Sequence, residues 1–410
     1  MNESRSFPDS LESAGKIDGL ELSGLTQSSS GEGSPRLQSR LLSIDVLRTL
    51  SILLMIQIHF RDYLGYVVGI PARYVSTLSV MFGRMPAPVF SFLVGLSLFL
   101  WMQKKEASGW SEEKIVKAAV RRGLFLFMVG LAELVIIWLP DWVFIWDILT
   151  FLGAATLFLI PVRKWSTGKL LMLALVLLII SPQLPPLTDW GRFWTGHGYS
   201  PDFTLREVVL GFLLHGYFPI LPWLVFPLVG FAMGKELCSY AAGNSKGNRR
   251  MLAMGFSFAC LSGLVYFCRS YGSPFFEVYT GPGFRIYPAS TYYVTTMVAI
   301  SCLSFWILNR RLDKGLADSG GVIRSFFRRY STFSLTTYVI QFVPYIPVMH
   351  IVAACQGRED LRHYYGRVVS VPVALLLAAL FIVLFYGILV IWEPRRKYSI
   401  EGLMRWFSEP

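Results

Sequence analysis

The sequence predicts an all-α, polytopic membrane helix bundle of about ten transmembrane helices, with both termini in the cytoplasm. Three observations carry this. First, only 16% of the 410 residues are charged and 54% are hydrophobic, with a mean hydropathy of +0.50. A soluble chain averages about 25% charged residues, so this one lacks the charge to cover a surface in water. Second, the apolar residues fall into runs of about 20, the length that crosses roughly 30 Å of hydrocarbon. The expected spans are 42–63, 78–102, 122–140, 142–162, 169–185, 217–237, 251–268, 289–309, 331–353 and 371–392. Third, with the N-terminus inside, the inside segments carry about 27 of the 38 Lys and Arg and the outside loops about 10. That is the bias of the positive-inside rule. It absorbs most of the net charge of +12, so the excess needs no nucleic-acid partner, and membrane lipid is the expected surrounding.

The elements divide the chain into three parts. Residues 1–40, polar and rich in Ser, Gly and Glu, predict a disordered cytoplasmic tail without the apolar core of a secretory signal. Residues 41–393 form one multi-span domain of a cell (inner) membrane protein, without a convincing internal repeat, and 394–410 form a basic cytoplasmic tail. Two outside loops stand out. Residues 185–223 carry an aromatic half and an apolar half interrupted by His215, Pro219 and Pro222, which reads as interfacial or re-entrant. Residues 269–288 are rich in Gly, Pro and aromatics. The five cysteines show no close metal-type pairing and read as packing residues, so no metal is expected.

The first span, "SIDVLRTLSILLMIQIHF", carries Asp45, Arg48 and His59. Ionisable groups in hydrocarbon are costly and usually face the bundle interior. Arg48 and His59 are eleven residues apart, three turns and about 16 Å along one helix face. Asp45, three residues before Arg48, is expected to hold it in a structural ion pair. Two further acids lie in spans. Glu133 is seven residues before the turn at Pro140–Asp141 and Asp147 six after it, so a hairpin sets both at one depth, close to that of His59. A carboxylate beside a neutral imidazole fixes its tautomer and stabilises the imidazolium formed when it takes a proton. Glu133, Asp147 and His59 therefore form a candidate general-base site. The same set serves acyl transfer or a proton relay in a transporter or flippase.

The stretch "IDVLRTLSILLMIQIH" resembles the transmembrane acyltransferase superfamily. "MPAPVFSFLVGLSLFL", "WDILTFLGAATLF", "YFPILPWLVFPLVGFAMGKEL" and "FRIYPASTYYV" follow in the order found in the catalytic-domain family of heparan-alpha-glucosaminide N-acetyltransferase. The resemblance spans about residues 40–350 and is closer to bacterial members. It implies a membrane acyltransferase that moves an acetyl group from cytoplasmic acetyl-CoA, or another acyl-CoA, to a hydroxyl or amine of a glycan or lipid-linked acceptor outside. His59 would be the general base, oriented by Glu133 or Asp147, in direct transfer or through an acetyl-histidine. Arg48 would handle the donor, with Arg121, Arg122, Arg328 and Arg329 at its cytoplasmic mouth. Trp190, Trp194, His215, Trp223, Arg285, Tyr338 and Gln341 are the acceptor-side candidates. Two departures separate the chain from the lysosomal enzyme. Gln341 stands where relatives often have the His of a Tyr-x-x-His motif, and the loop after His59 has Arg61, Asp62, Arg73 and Arg84 but no His.

Overall fold

Helices start and stop where the sequence supplies capping residues, proline and glycine. The computed structural model describes residues 40–138, 143–184, 188, 194–195, 198–199, 204–270, 283–313, 321–357 and 366–409. The expected tail before residue 40, the Pro140–Asp141 turn and Trp190 lie outside them, as do the side chain of Trp194 and the strands' aromatic partners. Helix α1 (Leu42–Leu64) carries Arg48 and His59 and ends at Gly65. Helix α2 (Gly69–Gly83) and α3 (Pro86–Ala107) follow, the latter opened by a proline whose missing N–H costs nothing in a first turn. The run expected at 78–102 is thus two helices meeting at Arg84–Met85. Next come α4 (Glu112–Trp138), α5 (Ile148–Leu159) and α6 (Thr167–Ile180). The Ser166 hydroxyl caps α6 by accepting from the Lys169 N–H.

In the second half, α7 (Leu205–Leu210) runs into a wide turn at Gly211–His215. It is followed by α8 (Ile220–Trp223), α9 (Val225–Ala241), α10 (Ser245–Ser270) and α11 (Thr291–Leu312). The remaining helices are α12 (Val322–Thr332), α13 (Ser334–Ile340), α14 (Ile346–Cys355), α15 (Val371–Trp392) and α16 (Ile400–Ser408). Two short pairings complete the described structure. Gly65–Tyr66 runs parallel to Val369–Ser370, and Trp194–Thr195 antiparallel to Gly198–Tyr199.

Among the described residues six helical segments are long and apolar enough to cross a membrane: Leu42–Leu64, Gly69–Ala107, Leu205–Ala241, Ser245–Ser270, Thr291–Leu312 and Val371–Ser408. The other expected spans fall short for identifiable reasons. The apolar part of α4 is bracketed by Arg121 and Arg122 and interrupted by Glu133. Helices α5 and α6 are too short at 12 and 14 residues. The run 331–353 is broken into α12, α13 and α14, because the backbone leaves helical geometry at Phe333 and again between Ile340 and Ile346.

The tightest helix pair is α3 against α9. A Cβ on Gly95 would lie 2.0 Å from the Pro227 carbonyl oxygen, and one on Gly230 1.9 Å from that of Phe92. Lipid offers no hydrophobic drive between helices, so small residues that let backbones touch supply the packing. The chain end is folded rather than a loose tail. After a turn at Glu393–Tyr398, α16 docks on the bundle. Glu409 binds Lys105 Nζ (2.5 Å), Trp101 Nε1 (3.1 Å) and Arg122.

Candidate active site

Helical periodicity on α1 sets the site. Arg48, Met55, His59 and Asp62 share one stripe, and two cavities lie along it. The first, of about 450 Å³, surrounds Arg48; the second, of about 380 Å³, is lined by His59 and Asp62. The same four helices, α1, α3, α5 and α13, wall both. On α3 the wall passes from Phe90 to Ala87, on α5 from Leu149 to Ile148, and on α13 from Leu335 to Tyr338. On these three helices the step is a turn or less, so the cavities adjoin there, whereas on α1 the linings pass from Arg48 to Met55, seven residues or about 10 Å.

At the His59 cavity the imidazole packs against Phe342 (ring centroids 5.1 Å) and Tyr63 (5.9 Å). Among the described residues its Nδ1 is buried without a hydrogen-bond partner at bonding geometry, and so are both polar atoms of the buried Gln341 carboxamide beside it. Asp147 enters from the start of α5. The residue before it, Trp146, has φ +57°, a conformation that is strained for a bulky side chain. It is held there from several sides. Its indole N–H donates to the Val208 carbonyl (3.1 Å), its own carbonyl accepts from the Phe218 N–H (3.0 Å), and its ring meets Phe212 at 4.9 Å. Asp147 occupies the N-cap position of α5 in extended geometry, but its side chain does not cap that helix. It turns to the cavity and accepts the Tyr338 hydroxyl at 2.6 Å.

Glu133 sits behind Asp147 on α4, which approaches α5 so closely that a Cβ on Gly130 would meet the Thr150 nitrogen at 2.6 Å. Both Glu133 oxygens are buried without a partner among the described residues, and the residue does not line the cavity. The remaining wall is aromatic and charged: Tyr217, Phe218 and Tyr287, with Arg61 paired to Asp62 (2.5 Å), and Arg84.

At the other cavity, Arg48 donates to Ser97 Oγ (2.8 Å) and Ser331 Oγ (3.4 Å). The expected Asp45–Arg48 ion pair is corrected. Asp45 binds Arg40 through both carboxylate oxygens (2.7 and 2.8 Å), because Arg40 precedes the helix and its side chain can fold back over the first turn. Arg122 lines this cavity, stacked on the Trp101 ring (4.1 Å) and paired with Glu409. Arg121 and Arg328 are exposed, and Arg329 is committed to Glu393 (2.7 Å) and the Tyr386 hydroxyl (2.7 Å). Their places in the cavity wall are taken by Arg40 and Arg405.

Of the acceptor-side candidates, Tyr338 lines the His59 cavity and Gln341 backs His59. His215 is buried and bonded through Nε2 to Thr188 Oγ1 (2.8 Å), Trp223 is buried in an aromatic cluster with Phe151 and Phe218, and Arg285 is exposed. None of these three lines either cavity. Asp62 was accessible from the sequence as the next turn of the α1 stripe. Arg405 carries no such local signal.

These features define a multi-helix membrane protein with a polar, partly enclosed site between its helices. Residues 40–268, more than half of the chain, match the family described as heparan-alpha-glucosaminide N-acetyltransferase, catalytic. The chain belongs to that family. No curated protein matches it.

Proposed function

We propose that the protein is a membrane acetyltransferase that loads acetyl-CoA at the Arg48 cavity and delivers the acetyl group to an acceptor in the His59 cavity. The carrying observation is that two cavities, one arginine-rich and one with an imidazole and carboxylate, are walled by the same four helices and adjoin along three of them. Family membership supplies the reaction class. The basic asymmetry of the sequence supports a cytoplasmic Arg48 end.

In this reading Arg48, Arg40, Arg122 and Arg405 meet the donor's phosphates. Gln341 lies beside His59, so a small closure on substrate binding lets its Oε1 accept the Nδ1–H, which leaves Nε2 as the base. His59 takes the proton of the acceptor hydroxyl or amine as that atom attacks the thioester carbonyl. The tetrahedral intermediate expels CoA as thiolate, which recovers the proton from the imidazolium. Asp147, fixed by Tyr338, stabilises the positive charge that develops. The ring of Tyr63, Tyr217, Phe218 and Tyr287 suits the faces of a sugar, which makes a glycan or lipid-linked sugar the expected acceptor class.

The test is His59→Ala in purified protein. It should lower acetyl transfer or acetyl-CoA hydrolysis by at least about 100-fold while thermal stabilisation by acetyl-CoA persists. Full transfer by a folded His59→Ala variant would overturn the proposal.

A further inference from the structure

Helices α6 and α10 each pack along α9, and a groove of about 810 Å³ lies between them. Its two ends differ in chemistry. At the end of the bundle that carries Arg48, the lining includes Lys164, Lys235 and Arg250, against one lining carboxylate, Glu236. Toward the bilayer centre it is apolar, with Leu171 and Leu175 facing Phe258 and Leu261. From Arg250 to Leu261 is eleven helix residues, about 16 Å. That is about half of a roughly 30 Å hydrocarbon core, the depth of one leaflet.

The charge at the polar end is only partly neutralised inside the protein. Glu236 is 3% exposed and takes a hydrogen bond from Thr167 Oγ1 at 2.5 Å. Arg250 reaches it through a single nitrogen at 3.4 Å, and 57% of the Arg250 side chain is exposed. The Lys235 ammonium donates to the Arg163 carbonyl (3.1 Å) and lies over the rings of Phe99 (4.9 Å) and Phe231 (5.8 Å), all without formal negative charge. Lys164 pairs with Glu112, which is itself exposed. Trp165 lines the same end, at the level where an indole favours the headgroup region.

We propose that this groove is a binding site for one anionic phospholipid, with its phosphate between Lys235 and Arg250 and one acyl chain along Leu171 and Phe258. A soluble anion would leave the apolar length unfilled, and a neutral lipid would leave the cations unmatched. The site is independent of the acyl-transfer reading, since it shares no lining residue with either cavity.

Native mass spectrometry of the detergent-purified chain tests it, with dioleoyl phosphatidylglycerol and dioleoyl phosphatidylcholine added at equal mole fraction and glycerol phosphate as the soluble control. The wild type should retain one phosphatidylglycerol in preference to phosphatidylcholine and gain nothing from glycerol phosphate. Lys235→Gln with Arg250→Gln should reduce that preference roughly thirtyfold, at about fivefold per lost surface cation. Ala253→Trp, at an exposed position on the groove wall, should lose retention of both lipids. Equal retention of the two lipids by the wild type would refute the proposal without any variant. So would unchanged retention by Ala253→Trp, or glycerol phosphate competing as well as the lipid.

Discussion

Arg48→Met separates a donor-binding role from a structural one, because the two make opposite demands on stability. The Arg48 guanidinium bonds only neutral oxygens, Ser97 Oγ at 2.8 Å and Ser331 Oγ at 3.4 Å, while Asp45 is held by Arg40. A charged hydrogen bond of good length contributes about 1.5–3 kcal/mol, and the longer one much less. Withdrawing the cation from water costs several kcal/mol. Met fills the space of the Arg stem without a charge, so folding stability should change by no more than about 2 kcal/mol. Donor binding should respond differently. Losing one charge-assisted contact to an anionic donor weakens binding about 10- to 150-fold. With acetyl-CoA at about 100 times the wild-type Kd, ligand linkage stabilises the wild type by about 2.7 kcal/mol. A thirtyfold weaker variant gains only about 0.9 kcal/mol at the same concentration. The assay is thermal unfolding in detergent with and without acetyl-CoA. A variant that keeps the full donor-induced shift would remove Arg48 from the donor site, and one that fails to fold would make it structural.

Tyr338→Phe removes the 2.6 Å bond to Asp147 and should slow transfer about tenfold or more, leaving the acetyl-CoA-induced unfolding shift intact. Gly230→Ala places a Cβ 1.9 Å from the Phe92 carbonyl oxygen. It should force α3 and α9 apart and cost about 1–3 kcal/mol or more, whereas Gly387→Ala, which meets no atom within 4 Å, should be neutral or mildly stabilising in the same unfolding measurement. Burial pushes the Glu409 carboxyl up, but the bonds from Lys105 and the nearby Arg122 outweigh it and hold it below its ordinary value. A depressed carboxyl contributes fully above its unfolded value near 4.5 and loses that contribution as pH falls through the lower folded value. Docking of α16, read by Trp406 fluorescence, should be flat from about pH 6 to 8 and loosen only below about pH 4, and Glu409→Gln should abolish that acid step.

The membrane class and the α1 stripe were legible because both follow from local rules, composition and a 3.6-residue period. Arg48 and His59 fall on one face by arithmetic alone. The level shared by Glu133 and Asp147 also followed from chain geometry, although Asp147 turned out to sit at a helix start rather than inside a helix. What placed it there is the left-handed Trp146, and nothing local in "DWVFIWDIL" announces a strained residue that only contacts to Val208, Phe212 and Phe218 can hold. The acceptor-side reading fared differently. Aromatic and basic residues at an outer surface serve many ends, and His215, Trp223 and Arg285 are taken up in packing or left at the surface. Which arginines face the inner cavity depends on partners far along the chain. Glu393, 64 residues on, takes Arg329, while Arg405 is brought in by a helix that the sequence presents as a basic tail.

That terminal helix bears on how the two cavities work together. Glu401 accepts the Leu335 and Thr336 backbone N–H groups (2.7 and 3.0 Å) and the Thr336 hydroxyl (2.6 Å). It thereby satisfies free donors in the first turn of α13, where a negative charge is also favoured by the helix dipole. Further along α13 is Tyr338, bonded to Asp147, and just past the helix end is Gln341, set against His59. On the same face of α16, Met404 and Arg405 join Glu401 in walling the Arg48 cavity. A single nine-residue helix therefore lines the proposed donor site and braces the element that orients the proposed base. It lies well beyond residue 268, where the family match ends. If acetyl-CoA phosphates draw Arg405 inward, the displacement acts on Glu401 one turn away and is felt at Tyr338. Under the proposed function, α16 would then tie donor loading to alignment of the base through Glu401.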